Sequence, residues 1–149
     1  MATWTAARCV KSVVDNKPGL AIDVEAGELA RLRAIVRAFV EERDWDQFHT
    51  PKNLAAALTV EASELLEHFQ WLQSGKAEEL GPDKLAEVRH EMADVLVYLV
   101  RIADKLDVDL FAAVEEKMVL NRAKYPAELV RGDARKYYEY KKSIATKDR

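Results

Sequence analysis

Two pairs of carboxylates with the same spacing carry the chemistry this chain can do: Glu61 with Glu64, and Glu91 with Asp94. Each pair is separated by three positions inside a stretch that is otherwise apolar at helical intervals. At about 3.6 residues per turn, Leu54, Leu58, Leu65 and Leu72 stack on one face of a helix, and Glu61 falls on the same stripe. Glu64 and His68 fall beside it. Taking an ionised carboxylate out of water costs several kcal/mol unless a partner charge or a metal neutralises it, so glutamate at a core position calls for a cation.

The second pair lies on a stretch from Lys84 to Leu106, where Val88, Met92, Val95, Leu99, Ile102 and Leu106 form the apolar stripe. Glu91 borders that stripe. Asp94 lies further round, in line with Glu87, Tyr98, Arg101 and Lys105, a line that also reads as a solvated face. Four carboxylates, with no cluster of cysteine or histidine, form a hard oxygen donor set that suits magnesium or manganese rather than zinc. Magnesium keeps waters and completes its shell with substrate phosphates. The chemistry implied is metal-assisted cleavage of a phosphate ester or anhydride.

Other side chains can serve the same chemistry. Lys117, Asn121 and Tyr125 recur every four residues beside Leu110, Val114 and Met118. A lysine there can neutralise phosphate, while asparagine and tyrosine can bond a sugar or base. The stretch Asp44 to Pro51 holds Trp45, Phe48 and His49, and Trp71 closes the second helix. Indoles can stack a nucleobase. His49 reads as a structural or loop-bonding group rather than a general base, and His68 and His90 have weaker claims.

The elements that must position these groups are helices. With 5 Gly and 4 Pro in 149 residues, and no alternating pattern that reads as a strand, an all-α fold of four main helices follows. The first runs from Glu25 to Arg43, with Leu29, Leu32, Val36, Phe39 and Val40 on one side. The second runs from Leu54 to Leu72 and the third from Lys84 to Leu106. Gly75, Gly81 and Pro82 mark a turn between them. The fourth spans Leu110 to Lys124, capped by Asp109 and stopped before Pro126. Two helices that pack antiparallel bring both acidic pairs into one cluster, as helix bundles do around internal metals.

Composition bounds the rest. The length suits one domain. No run approaches the roughly 20 apolar residues of a membrane span, and a single cysteine, Cys9, agrees with a reducing cytoplasmic setting. The 23 basic and 26 acidic residues are unevenly placed: Arg131 to Arg149 carries seven Lys/Arg against three Asp/Glu. That stretch is a solvated tail or, in a sharper reading, folds Arg135 or Lys136 toward phosphates. Nucleic acid is not an expected partner of an acidic domain with no reader motif.

The stretch Glu42 to Leu54, Glu61 and Glu64, Phe69 to Trp71, Glu91 to Leu96, and Lys117 to Pro126 together closely resemble the MazG-like all-α nucleoside triphosphate pyrophosphatases, most of all their dCTP pyrophosphatase branch. The likeness runs from Leu29 to Tyr137. It implies a four-helix-bundle domain over residues 25–137, with an N-terminal extension (1–24) and a basic C-terminal tail (138–149). It further implies hydrolysis of a nucleoside triphosphate, dCTP or a modified dCTP foremost, to the monophosphate and pyrophosphate. Magnesium would be held by Glu61, Glu64, Glu91 and Asp94, with Glu61 and Glu64 catalytic. Lys117, Asn121 and Tyr125 would handle phosphates and sugar, and Trp45 and Trp71 would wall the base pocket. Relatives assemble as homotetramers with sites where subunits meet. One departure stands out: where animal members of the branch carry a base-contacting histidine on the first helix, this chain has Val36. A related enzyme of other base preference, such as one acting on dUTP or on a phosphoribosyl nucleotide, and a non-catalytic helical interaction module are the alternatives.

Overall fold

The computed structural model describes residues 27–132, and every regular element among them is helical. Cys9, Arg135, Lys136, the N-terminal extension and the basic tail lie outside the described residues. Four long helices occur in the expected order: α1 (Glu28–Glu41), α2 (Pro51–Glu67), α3 (Ala77–Lys105) and α4 (Leu110–Lys124), followed by a single turn, α5 (Ala127–Val130).

Local chemistry sets their ends. Helix α2 begins before the expected Leu54 because the Thr50 side chain accepts from the Asn53 N–H and Pro51 occupies the first turn, where a missing N–H costs nothing. It ends at Glu67 rather than Leu72. There the Leu66 carbonyl accepts from both Phe69 and Gln70 N–H groups, a tightened turn that takes Leu72 off the helical stripe. Trp71 therefore does not close α2; it stands in the turn that follows, 87% exposed.

The link to α3 is shorter than the expected Gln73 to Asp83. At Gly75 the backbone adopts φ 68°, and a Cβ there would meet the Phe69 ring at 3.0 Å. The Glu79 carboxylate accepts from the Ser74 and Gly75 N–H groups, each at 3.2 Å, and from the Ser74 hydroxyl, which holds that carboxyl below the usual range. One helical turn then forms before Gly81 (φ 72°, ψ 171°) breaks the ladder, and Pro82 restarts it. Asp109 caps α4 as expected, its Oδ1 accepting from Phe111 and Ala112 N–H at 2.9 and 3.0 Å.

Packing is concentrated on α3. It lies against α2 along one side and against α1 on another, and Leu54, Val36, Val40, Val88, Val100 and Ala103 form the buried core. The expected α3 stripe is only partly used: Met92, Leu99 and Leu106 are exposed, while Val100 and Ala103 are buried beside Leu29 and Ala30 of α1. The reason is that α3 serves two neighbours, which one helical stripe cannot do. Helix α4 stands apart from that core. Phe111, Val114, Met118, Val119 and Leu120 are all exposed along it.

Candidate active site

The antiparallel pairing of α2 and α3 brings carboxylates from both helices together. Oxygens of Glu61, Glu64 and Glu91 lie within 4.8 Å of one another. The i, i+3 spacing puts Glu61 and Glu64 on one side of α2, and Glu91 meets them from α3. Asp94, one turn further along α3, is outside that trio but close enough to act on Glu61 electrostatically. Burial pushes the Glu61 carboxyl above its ordinary value, and Glu64, Asp94 and Glu91 push it the same way. Tyr98, one turn beyond Asp94, has its phenol raised by burial and then by Glu61 and Asp94, so it stays a hydroxyl donor at neutral pH.

No lysine or arginine forms an ion pair with these four carboxylates among the described residues. His68 stands behind them, its Nε2 4.0 Å from Glu91 Oε1 and its Nδ1 3.7 Å from Glu87 Oε2. Three clustered carboxylates with Asp94 nearby, and no lysine or arginine paired to them among the described residues, are a hard donor set that fits a divalent metal.

A second charged cluster lies about ten residues along α3. Arg101, 5% exposed, donates from Nε to His49 Nδ1 at 3.3 Å, from Nη1 to Asp104 Oδ2 at 2.7 Å and from Nη2 to Asp46 Oδ1. Arg37 of α1 forks onto both oxygens of Asp104, with Nε at 2.9 and 3.1 Å. Lys105 Nζ reaches Asp46 Oδ1 at 2.9 Å. The Arg37 hydrogen bond is the main reason that the Asp104 carboxyl lies below its ordinary value, and the Lys105 hydrogen bond does the same for Asp46. Burial, then the Arg101 charge, lowers His49 and keeps it a neutral imidazole.

The remaining expected residues separate into two groups. Trp45 belongs to the α1–α2 connection, where Asp46–Phe48 forms a single 3-10 turn. Its indole meets the Phe39 ring edge-on at 5.8 Å and the His49 ring at 6.5 Å. Lys117 and Asn121 lie one turn apart on α4 and Tyr125 is its C-cap, and no hydrogen bond or ion pair among the described residues joins Lys117 or Asn121 to the carboxylates. Val36 is core, 6% exposed, and supplies no polar contact. In the sequence Arg101 reads as part of a solvated line, and its network is not visible there. The available signal was an Arg101–Asp104 pair flanked by Val100 and Ala103.

Comparison with known proteins agrees with this geometry. The model of the MazG-like family matches residues 56–139, which include all four carboxylates. Human dCTP pyrophosphatase 1 is 43% identical over 122 residues, covering 80% of this chain and 72% of that protein. The bovine protein of the same name is 45% identical over 114 residues, covering 73% of this chain and 66% of its own length. A crystal structure of a pyrophosphatase from Archaeoglobus fulgidus superposes with a TM-score of 0.63 at 40% identity, over 70% of this chain and 98% of that one.

Proposed function

The chain belongs to the MazG-like family, as an all-α nucleoside triphosphate pyrophosphatase, and on that premise we propose that it hydrolyses dCTP, or a 5-modified dCTP, to the monophosphate and pyrophosphate. The observation that carries the reading is the cluster of Glu61, Glu64 and Glu91 across the α2–α3 pair, with Glu61 pushed toward protonation by burial and then by its like-charged neighbours. Those three residues, with Asp94, would hold magnesium, or manganese in its place. A divalent ion bound there neutralises the carboxylates, polarises phosphoryl oxygens and lowers the pKa of a water.

The chain's own groups do the rest. Glu61 and Glu64 are the carboxylates on the α2 side and are the candidates to take the proton of the attacking water. Tyr98 keeps its proton and offers a hydrogen bond to an anionic oxygen beside Glu61. Trp45 and Trp71, both exposed, are available to stack the base. Val36 gives the base no hydrogen bond, so discrimination between cytosine and its 5-modified forms does not come from that position.

A homotetramer completes the reading. Helix α4 carries Lys117 and Asn121, with Tyr125 at its C-cap, but packs along neither α2 nor α3, and apolar residues line both α4 and the outer side of α3. Contiguous apolar faces of this extent mark protein–protein contacts. A second copy that covers them would bring α4 groups to phosphates held at the carboxylates. A cytoplasmic setting is part of the same proposal, because nucleoside triphosphates are found there.

The test is product analysis with a panel of canonical and 5-modified nucleoside triphosphates, with magnesium and with chelator. Magnesium-dependent release of pyrophosphate, led by dCTP or its derivatives, is the expected result. Release led by dUTP would keep the metal site and replace the cytosine assignment; release from no substrate would leave a helical interaction module.

A further inference from the structure

We propose that Arg101 is a positioning residue for substrate, holding the Trp45 indole in place through Asp46 and His49; this rests on the reading of Trp45 as a base-stacking wall.

The connection from Arg43 to Thr50 has little core of its own: Trp45 and Phe48 are exposed, and Asp44 sits at a positive φ of 52°. Loops of this kind move unless side chains tie them to rigid elements. Here the ties come from α3. Arg101 is nearly excluded from water, and two of its three donor groups go to this connection, to Asp46 and His49; the third goes to Asp104. Asp104 is itself held by Arg37, so the fork is fixed from α1 as well. A planar guanidinium dictates the relative placement of two acceptors, which the point charge of a lysine cannot.

Both acceptors adjoin the indole. Asp46 follows Trp45 in the chain, and the His49 ring stands 6.5 Å from the indole, which also meets the Phe39 ring of α1 at 5.8 Å. Because Arg101 Nε donates to His49 Nδ1, that nitrogen carries no proton and Nε2 does. The bond thus sets the tautomer and the ring plane of the side chain beside Trp45. An indole ordered in advance loses less freedom when a base stacks on it.

Steady-state kinetics on the full chain with dCTP and magnesium test this, using Trp45→Ala, Arg101→Lys, Asp46→Ala and the Trp45→Ala/Arg101→Lys double variant. Loss of stacking raises KM about tenfold in Trp45→Ala, and the same rise in Arg101→Lys is expected, with kcat within about twofold. The double variant should be no worse than Trp45→Ala alone, because both changes remove the same wall. Nitrogen-15 NMR should show the Nε2–H tautomer of His49 in the parent and its loss in Arg101→Lys.

An unchanged KM in Arg101→Lys beside a raised one in Trp45→Ala would overturn the positioning role and leave the base wall standing. An unchanged KM in Trp45→Ala would sink the base wall, and with it the route from Arg101 to substrate. Additive effects in the double variant would also overturn the proposal. Should Arg101→Lys not fold, Asp46→Ala decides: it removes the acceptor from an exposed side chain and spares the Arg101–Asp104 pair, and an unchanged KM there is contradictory.

Discussion

Helix α3 carries two charged clusters that the fold treats in opposite ways. At Glu91 it contributes to a group of carboxylates that no lysine or arginine among the described residues pairs with; at Arg101 and Asp104 it contributes to a network in which each carboxylate meets a cation. The same functional group reports the difference. The Glu61 carboxyl is pushed up by burial and like charges, whereas the Asp104 carboxyl is pulled down by Arg37 and Arg101. Where the fold provides the counter-charge, the cluster orders the chain. Where it withholds the counter-charge, the cluster is ready for a ligand that brings one.

Substitution should break that comparison most visibly at the carboxylates. Glu64→Gln is expected to lower turnover on the order of 10⁴-fold while far-ultraviolet circular dichroism stays unchanged, because the lost group acts on substrate and not on packing. Removing a charge should then have opposite effects on stability in the two clusters. Asp104→Asn leaves Arg37 and buried Arg101 short of an acceptor and should destabilise the protein by about 3 kcal/mol in denaturant unfolding. Glu61→Gln removes a like charge and should stabilise the metal-free protein by about 1 kcal/mol in the same experiment.

The smallest effect is on pH dependence, and its sign also differs. Asp104 and Asp46 have folded values below 3.8, so their contribution is complete above that pH and is lost as pH falls through the lowered values. Glu61 has a folded value above 4.5, so its contribution is complete below that pH and is lost as pH rises through the raised value. Thermal unfolding of the metal-free protein should therefore weaken at both ends of the acid range. Asp104→Asn should flatten the lower limb, and Glu61→Gln the upper.

Much of this was legible in the residues. The periodic apolar positions, the Asp109 cap and the step before Pro126 gave α4 its observed bounds, and the paired spacings of Glu61, Glu64 and Glu91 met across α2 and α3. Helical periodicity carries the expected α2 on to Trp71 because it does not reveal where a chain tightens and turns, as it does at Leu66. Arg101 was placed on a solvated line because a single stripe describes a helix with one neighbour, and α3 has two. The separation of α4 from the α2–α3 pair is a tertiary fact that no local pattern carries; its exposed Phe111, Val114 and Met118 look identical in sequence to an ordinary core face.

The most direct test of the central claim, that the unmatched carboxylates are the seat of triphosphate hydrolysis, is calorimetric titration of magnesium into the parent protein and Glu64→Gln, each in the presence of a non-hydrolysable dCTP analogue. Saturable magnesium binding is expected in the parent, with a loss of at least about tenfold in affinity in the variant. Equal affinity in the two proteins would contradict it.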